Sequence, residues 1–156
     1  MIATGSGSGD IQIWDSKSHN LIGEPFRGHL AAVVSLCFWP DSRWLVSGSW
    51  YQSVHVWNCQ TGQAEDSTLW RHTDGVLSVC TDGRLIVSGS LDTTICIWDL
   101  HTGEGIDDPI NTGHSVYAVV LSNNGRILAG VGCKWNVPYF LDGRSYIRSE
   151  LGRSFA

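Results

Sequence analysis

Short apolar runs separated by turn residues make up most of this chain, and their spacing is that of strands. "VVSLCF" (33–38) precedes the turn "PDSR". "WLVSGS" (44–49) and "SVHVWN" (53–58) follow, then a Thr61-Gly62 turn, and a weaker run near "STLWR" closes the group. The joints carry Asp-Ser, Asp-Gly, Asn-Gly or Thr-Gly, residues that accept tight-turn geometry. A helical reading fails, because the apolar periods are short, alternating and interrupted by turn pairs about every ten residues. Several runs are apolar on both faces: Ile95, Cys96, Ile97 and Trp98 are consecutive. A sheet buried on both faces must be sandwiched between neighbours. The pattern therefore predicts small antiparallel four-stranded sheets stacked radially.

The pattern also repeats. Trp14, Trp57 and Trp98 are 43 and 41 residues apart, with Phe140 42 further on. His29, His72 and His114 are 43 and 42 apart, and Asp41-Ser-Arg, Asp82-Gly-Arg and Asn124-Gly-Arg are 41 and 42 apart. Independent residue classes sharing one period mark a repeat array. Gly28-His29, the two V-S-G-S stretches and Trp98-Asp99 resemble the WD40 repeat family, and the similarity covers essentially the whole chain. The expected fold is all-β: WD40-type β-propeller blades in an incomplete ring. The units are 1–27 (partial), 28–70, 71–112 and 113–156 (degenerate).

The resemblance implies a structural hydrogen-bond tetrad inside a blade, best matched by His72, Ser88, Asp92 and Trp98, with Ser90 as a substitute for Ser88. Buried His and Trp N–H groups need acceptors, and a short carboxylate in a tight turn supplies one. A Ser-His-Asp hydrolase reading fares worse, because these residues recur with the period and no G-x-S-x-G elbow is present. The other units hold partial sets. His29, Ser47 and Trp57 stand with Tyr51 at the Asp position, so His29 needs a new acceptor, and the Tyr51 hydroxyl is the expected one. Trp14 stands with Thr4 and Ser8. His114 stands with Gly130, Lys134 and Phe140, and Pro138 interrupts that unit's third strand. His55, between two valines, reads as a satisfied sheet histidine.

Composition narrows the partners. Residues 1–125 carry 5 basic and 13 acidic side chains, and the whole chain has a formal charge of −5. That balance argues against nucleic acid. The five cysteines include no C-x-x-C and read as reduced, buried thiols, which points inside the cell. Gly5-x-Gly7-x-Gly9 precedes a strand and not a helix, so it reads as a turn rather than a phosphate loop. The expectations are no cofactor, no metal, no membrane contact and a cytoplasmic or nuclear site.

The resemblance implies a non-enzymatic scaffold for protein–protein interaction, presenting loops on one rim. Trp50, Tyr51 and Leu30 are the candidate partner contacts, although abundant, usually buried tryptophan favours packing of Trp50 and Tyr51 against a neighbouring blade. Two alternatives are the regulatory or sensor part of a larger NTPase-linked signalling protein and a ubiquitin-ligase substrate receptor. The latter needs an Arg cluster on the binding rim, whereas Arg43, Arg84 and Arg126 fall on the opposite one. At about 42 residues a unit, a closed ring of about seven blades exceeds this chain, so the further expectation is either a piece of a longer array or self-association that completes the ring. Light scattering should show a mass that rises with concentration; a constant monomer mass would overturn it.

Overall fold

The computed structural model describes residues 1–65, 69–100, 102–122, 127–132, 136–141 and 146–148. Among them are no helices, and the strands form four antiparallel sheets. The first pairs β1 (Ile2–Gly5) with β2 (Ile11–Trp14), extended by isolated bridges from Ile11 to Phe26 and Trp14 to Leu21. The second runs β3 (Val33–Phe38), β4 (Trp44–Ser49), β5 (Ser53–Asn58) and β6 (Leu69–Trp70). The third runs β7 (Val76–Thr81), β8 (Leu85–Ser90), β9 (Thr94–Asp99) and β10 (Ile110–Asn111). The fourth runs β11 (Val116–Leu121), β12 (Ile127–Gly132), β13 (Asn136–Leu141) and β14 (Tyr146–Arg148). These are blades 1 to 4, and they are not closed into a ring. Strand order equals chain order, so each blade is a meander whose turns alternate between two rims.

Packing explains the runs that are apolar on both faces. Leu45 joins a layer with Ile11, Ile13 and Trp57, while the next residue, Val46, joins one with Val76, Val79 and Ile86. Val87 in turn faces a third layer with Val116 and Val119. Successive side chains of a strand point to opposite faces, so each middle strand feeds two layers.

Two repeated devices join a blade to the next. Every inner strand has a bulge, at Val33/Ser35, Val76/Ser78 and Val116/Ala118. Just past it, the Val79 N–H donates to Ser35 Oγ of the preceding blade (2.9 Å), and the Val119 N–H donates to Ser78 Oγ (3.1 Å). The second device is a glycine. A Cβ on Gly5, Gly48 or Gly89 would stand 2.8, 2.8 or 2.5 Å from a carbon of Val33, Val76 or Val116 in the following blade. Thus the glycine of V-S-G-S exists to admit a neighbour's valine. In the fourth blade the register pairs Ala118 with Val131 where the second and third pair Ser35 with Gly48 and Ser78 with Gly89, so neither device recurs there.

Pro138 is accommodated inside β13. It pairs with Ala129 on one side, and β14 pairs only with Tyr139–Leu141 on the other. The proline thus lies beyond the end of the outer ladder. Free thiols stand at Cys37, Cys59 and Cys80, which are half-buried, and at Cys96, which is buried. Cys133 lies outside the described residues.

Replacing Gly89 by alanine should lower stability by about 1–3 kcal/mol through overpacking against Val116 and Val119. Urea denaturation reads this directly, and an unchanged midpoint would contradict the close approach.

Candidate functional site

In blade 3 the loop before β7 carries His72 over the second and third strands. The Trp98 indole N–H donates to Ser88 Oγ at 3.2 Å, and Ser88 Oγ lies 2.8 Å from His72 Nε2. His72 Nδ1 is 2.9 Å from Asp92 Oδ2, which also accepts the Thr73 N–H at 2.9 Å. With the Nδ1–H tautomer the donors run one way: Trp98 to Ser88, Ser88 to His72, His72 to the carboxylate. Asp92 is held in turn by the Thr94 N–H (2.9 Å) and the Thr94 hydroxyl (2.7 Å). Ser88 is wholly buried, with its hydroxyl committed to this chain. Ser90 does other work: it donates to the Asp74 carbonyl and accepts the Asp92 N–H.

Blade 2 solves the missing aspartate in another way than the sequence suggested. His29 Nε2 lies 2.6 Å from Ser47 Oγ, which accepts the Trp57 indole N–H at 2.7 Å. The partner of His29 Nδ1 is Ser53 Oγ at 3.1 Å, and not Tyr51, whose ring is exposed at the tip of the β4–β5 turn. A long side chain at a turn tip leans outward, whereas a hydroxyl on the first residue of the third strand sits beside the imidazole. Thr94 occupies the corresponding place, 3.1 Å from His72 Nδ1. The legible signal was the shared hydroxyl opening "SVHVW" and "TICIW".

The outer units are thinner. Trp14 donates to Thr4 Oγ1 at 2.9 Å, and Ser8 bonds to Asp10 and Ser6. His114 is exposed, and Gly130 occupies the register place of Ser47 and Ser88 without a hydroxyl. Phe140 lies on β13, and Lys134 and Arg126 fall outside the described residues. His55, expected to be satisfied, has a buried Nδ1 without a hydrogen-bond partner. Its ring lies 4.1 Å from that of His29 and stacks on Trp57 at 5.4 Å. Cys96 fills the same register place in blade 3, opposite Ser88 as His55 is opposite Ser47.

The rim formed by the β4–β5 turn and the loops entering β3 and β7 carries an aromatic patch. Leu30 is 73% exposed, Trp50 49%, Tyr51 49% and Trp70 53%, which places them on the surface rather than in the core. Trp50 lies over Gly75 of the next blade, where an added Cβ would come within 3.0 Å of its ring. Tyr51 meets Trp70 edge to face, with centroids 6.0 Å apart. Trp70 was not singled out from sequence, because it sits on a two-residue strand whose pattern is too short to show a face. Arg43 and Arg84 lie in the β3–β4 and β7–β8 turns, on the opposite rim.

The WD40 family model, described as WD domain, G-beta repeat, matches residues 20–58 and 65–99. These spans hold the two hydrogen-bonded sets centred on His29 and His72. Both spans are WD40 repeats. A curated relative, the transcriptional repressor rco-1 of Neurospora crassa, is 39% identical over 54 residues, which are 35% of this chain and 9% of that protein. The match therefore spans less than a tenth of the relative's length. WD40 repeats in general serve as platforms for protein interaction, and their presence here implies a scaffold of that kind.

The electrostatics of the WD40 tetrads follow from burial. Burial, with His55 nearby, lowers the His29 pKa to about 3, and burial lowers that of His55 to about 4. Burial also holds His72 below its ordinary value, although Asp92 pulls the other way. Burial pushes the Asp92 carboxyl up, but the hydrogen bonds from Thr94 and Thr73 and the neighbouring His72 outweigh it, so the net direction is down. Burial raises the four described thiols, with those of Cys59 and Cys96 at about 11 and Cys80 at about 12.

For the histidines, the unfolded chain takes up protons near pH 6.5 while the folded WD40 blades do not until about pH 4 and below. The unfolded state binds more protons in that window, so stability is full above pH 6.5 and falls as pH drops through it. The melting temperature should fall by roughly 10 °C between pH 7.5 and pH 5. His55→Cys, which installs the residue of blade 3, should flatten the slope. An equally steep slope in that variant would refute the assignment to His55.

Proposed function

We propose that this WD40 array is a non-enzymatic platform that captures a partner protein on the rim bearing Leu30, Trp50, Tyr51 and Trp70. The observation that carries the reading is the concentration of three half-exposed aromatic rings and a leucine around one blade junction. Interfaces draw most of their binding energy from a few aromatic anchors. These anchors are also pre-positioned: Trp50 rests on Gly75 and Tyr51 on Trp70, so less side-chain freedom is lost on binding. The turns that carry them join rigid strands, an arrangement suited to presenting loops. The likeness to a transcriptional repressor supports a nuclear or cytoplasmic setting.

A packing role for Trp50 makes the opposite prediction, so one set of variants separates the two. Tyr51→Ala and Trp70→Ala together should reduce partner capture in a pull-down by at least about tenfold, with the melting temperature shifted by no more than about 2 °C. Trp50→Ala should lose capture to a similar degree at a modest stability cost. Retained capture in both would refute this rim as the contact surface.

A further inference from the structure

The opposite rim holds a second feature at the junction of blades 2 and 3. Five residues separate β3 from β4 and β11 from β12 but only three separate β7 from β8, so Trp39-Pro40 of the blade 2 turn have no counterpart in blade 3. These residues lean on blade 3. The Trp39 indole N–H donates to Thr81 Oγ1 at 3.1 Å, and Pro40 covers Gly83, where a Cβ would stand 3.3 Å from it. Trp39 also meets Trp44 edge to face, at 5.3 Å between centroids. The result is a fixed aromatic wall on an open cavity of about 650 Å³ between the two blades.

The chemistry of the cavity selects its occupant. The floor is apolar, from Val56, Leu69, Ile86 and Leu100, and its size is in the range that holds one or two large side chains, roughly 300–1,000 Å³. Glu65 and Asp99 line the mouth with Arg84, and Asp41, Asp82 and Glu104 lie in the adjoining turns beside Arg43. Carboxylates outnumber guanidinium groups there, and indole faces attract cations. We propose that this groove docks a peptide segment of a partner protein in which a large aliphatic or aromatic side chain stands next to lysine or arginine. The apolar side chain enters between Trp39, Trp44 and the floor, and the cation meets Glu65 at the mouth. This site is independent of the aromatic patch on the other rim.

Fluorescence anisotropy of the whole chain with a dye-labelled Lys-Leu-Phe-Arg peptide tests it, with Glu-Leu-Phe-Glu as the charge-reversed control. The basic peptide should bind at least about tenfold more tightly than the acidic one, and more weakly at high salt. Glu65→Lys, an exposed change, should weaken it by about threefold or more. Deleting Trp39 and Pro40, which restores the turn length of blade 3, should abolish binding, while Trp50→Ala should leave it unchanged. Should the deletion variant fail to fold, Glu65→Lys with unchanged circular dichroism carries the test alone. No binding, equal affinity for both peptides, indifference to Glu65→Lys, or loss of binding in Trp50→Ala would each overturn the proposal.

Discussion

The middle strands of blades 2 and 3 are apolar on both faces, and a sheet of that kind is stable only when both faces are covered. That constraint shapes the rest of the molecule. It stacks the blades, so that Leu45 and Val46, adjacent in the chain, end in different layers. It also sets how closely neighbours approach. Gly48 and Gly89 have no Cβ because Val76 and Val116 occupy the space one would need. The serines at positions 35 and 78 then satisfy the N–H groups of Val79 and Val119 across the junction. Apolar burial supplies the drive, and the glycine and the serine fix the register at which it is realised.

The polar groups that this stacking buries must be satisfied within each blade. In blade 3 a carboxylate ends the donor chain that begins at Trp98. In blade 2 a serine hydroxyl ends it, leaving that blade without a charge at the centre. The difference propagates: His29 packs against a second imidazole, His55, whereas His72 lies near Cys96 and Asp92. Blade 2 therefore keeps two neutral histidines in contact, and its Tyr51, released from any duty toward His29, faces outward on the rim. Bonding to His29 and exposure on the rim are thus divided between neighbouring residues of one turn and strand.

The two rims of the blade 2–blade 3 junction differ in character. One presents exposed rings on residues that still follow the repeat. The other encloses a groove walled by Trp39 and Trp44, with Val56, Leu69 and Ile86 in its lining.

The repeat period, the strand-and-turn alternation and the two-faced burial were legible in the sequence, because each depends on which residue types recur at fixed spacing. The bonded set of Trp98, Ser88, His72 and Asp92 was legible only through the likeness to WD40 repeats, since no other unit has an aspartate at the place of Asp92. The acceptor of His29 was not, since the choice between Tyr51 and Ser53 depends on which side chain points inward at a turn. Nor were the exposure of Trp70, on a strand too short for a pattern, and the contact of Trp39 with Thr81, 42 residues away. Those were decided by tertiary structure, where the distance between neighbouring blades, and not residue type, determines which groups meet.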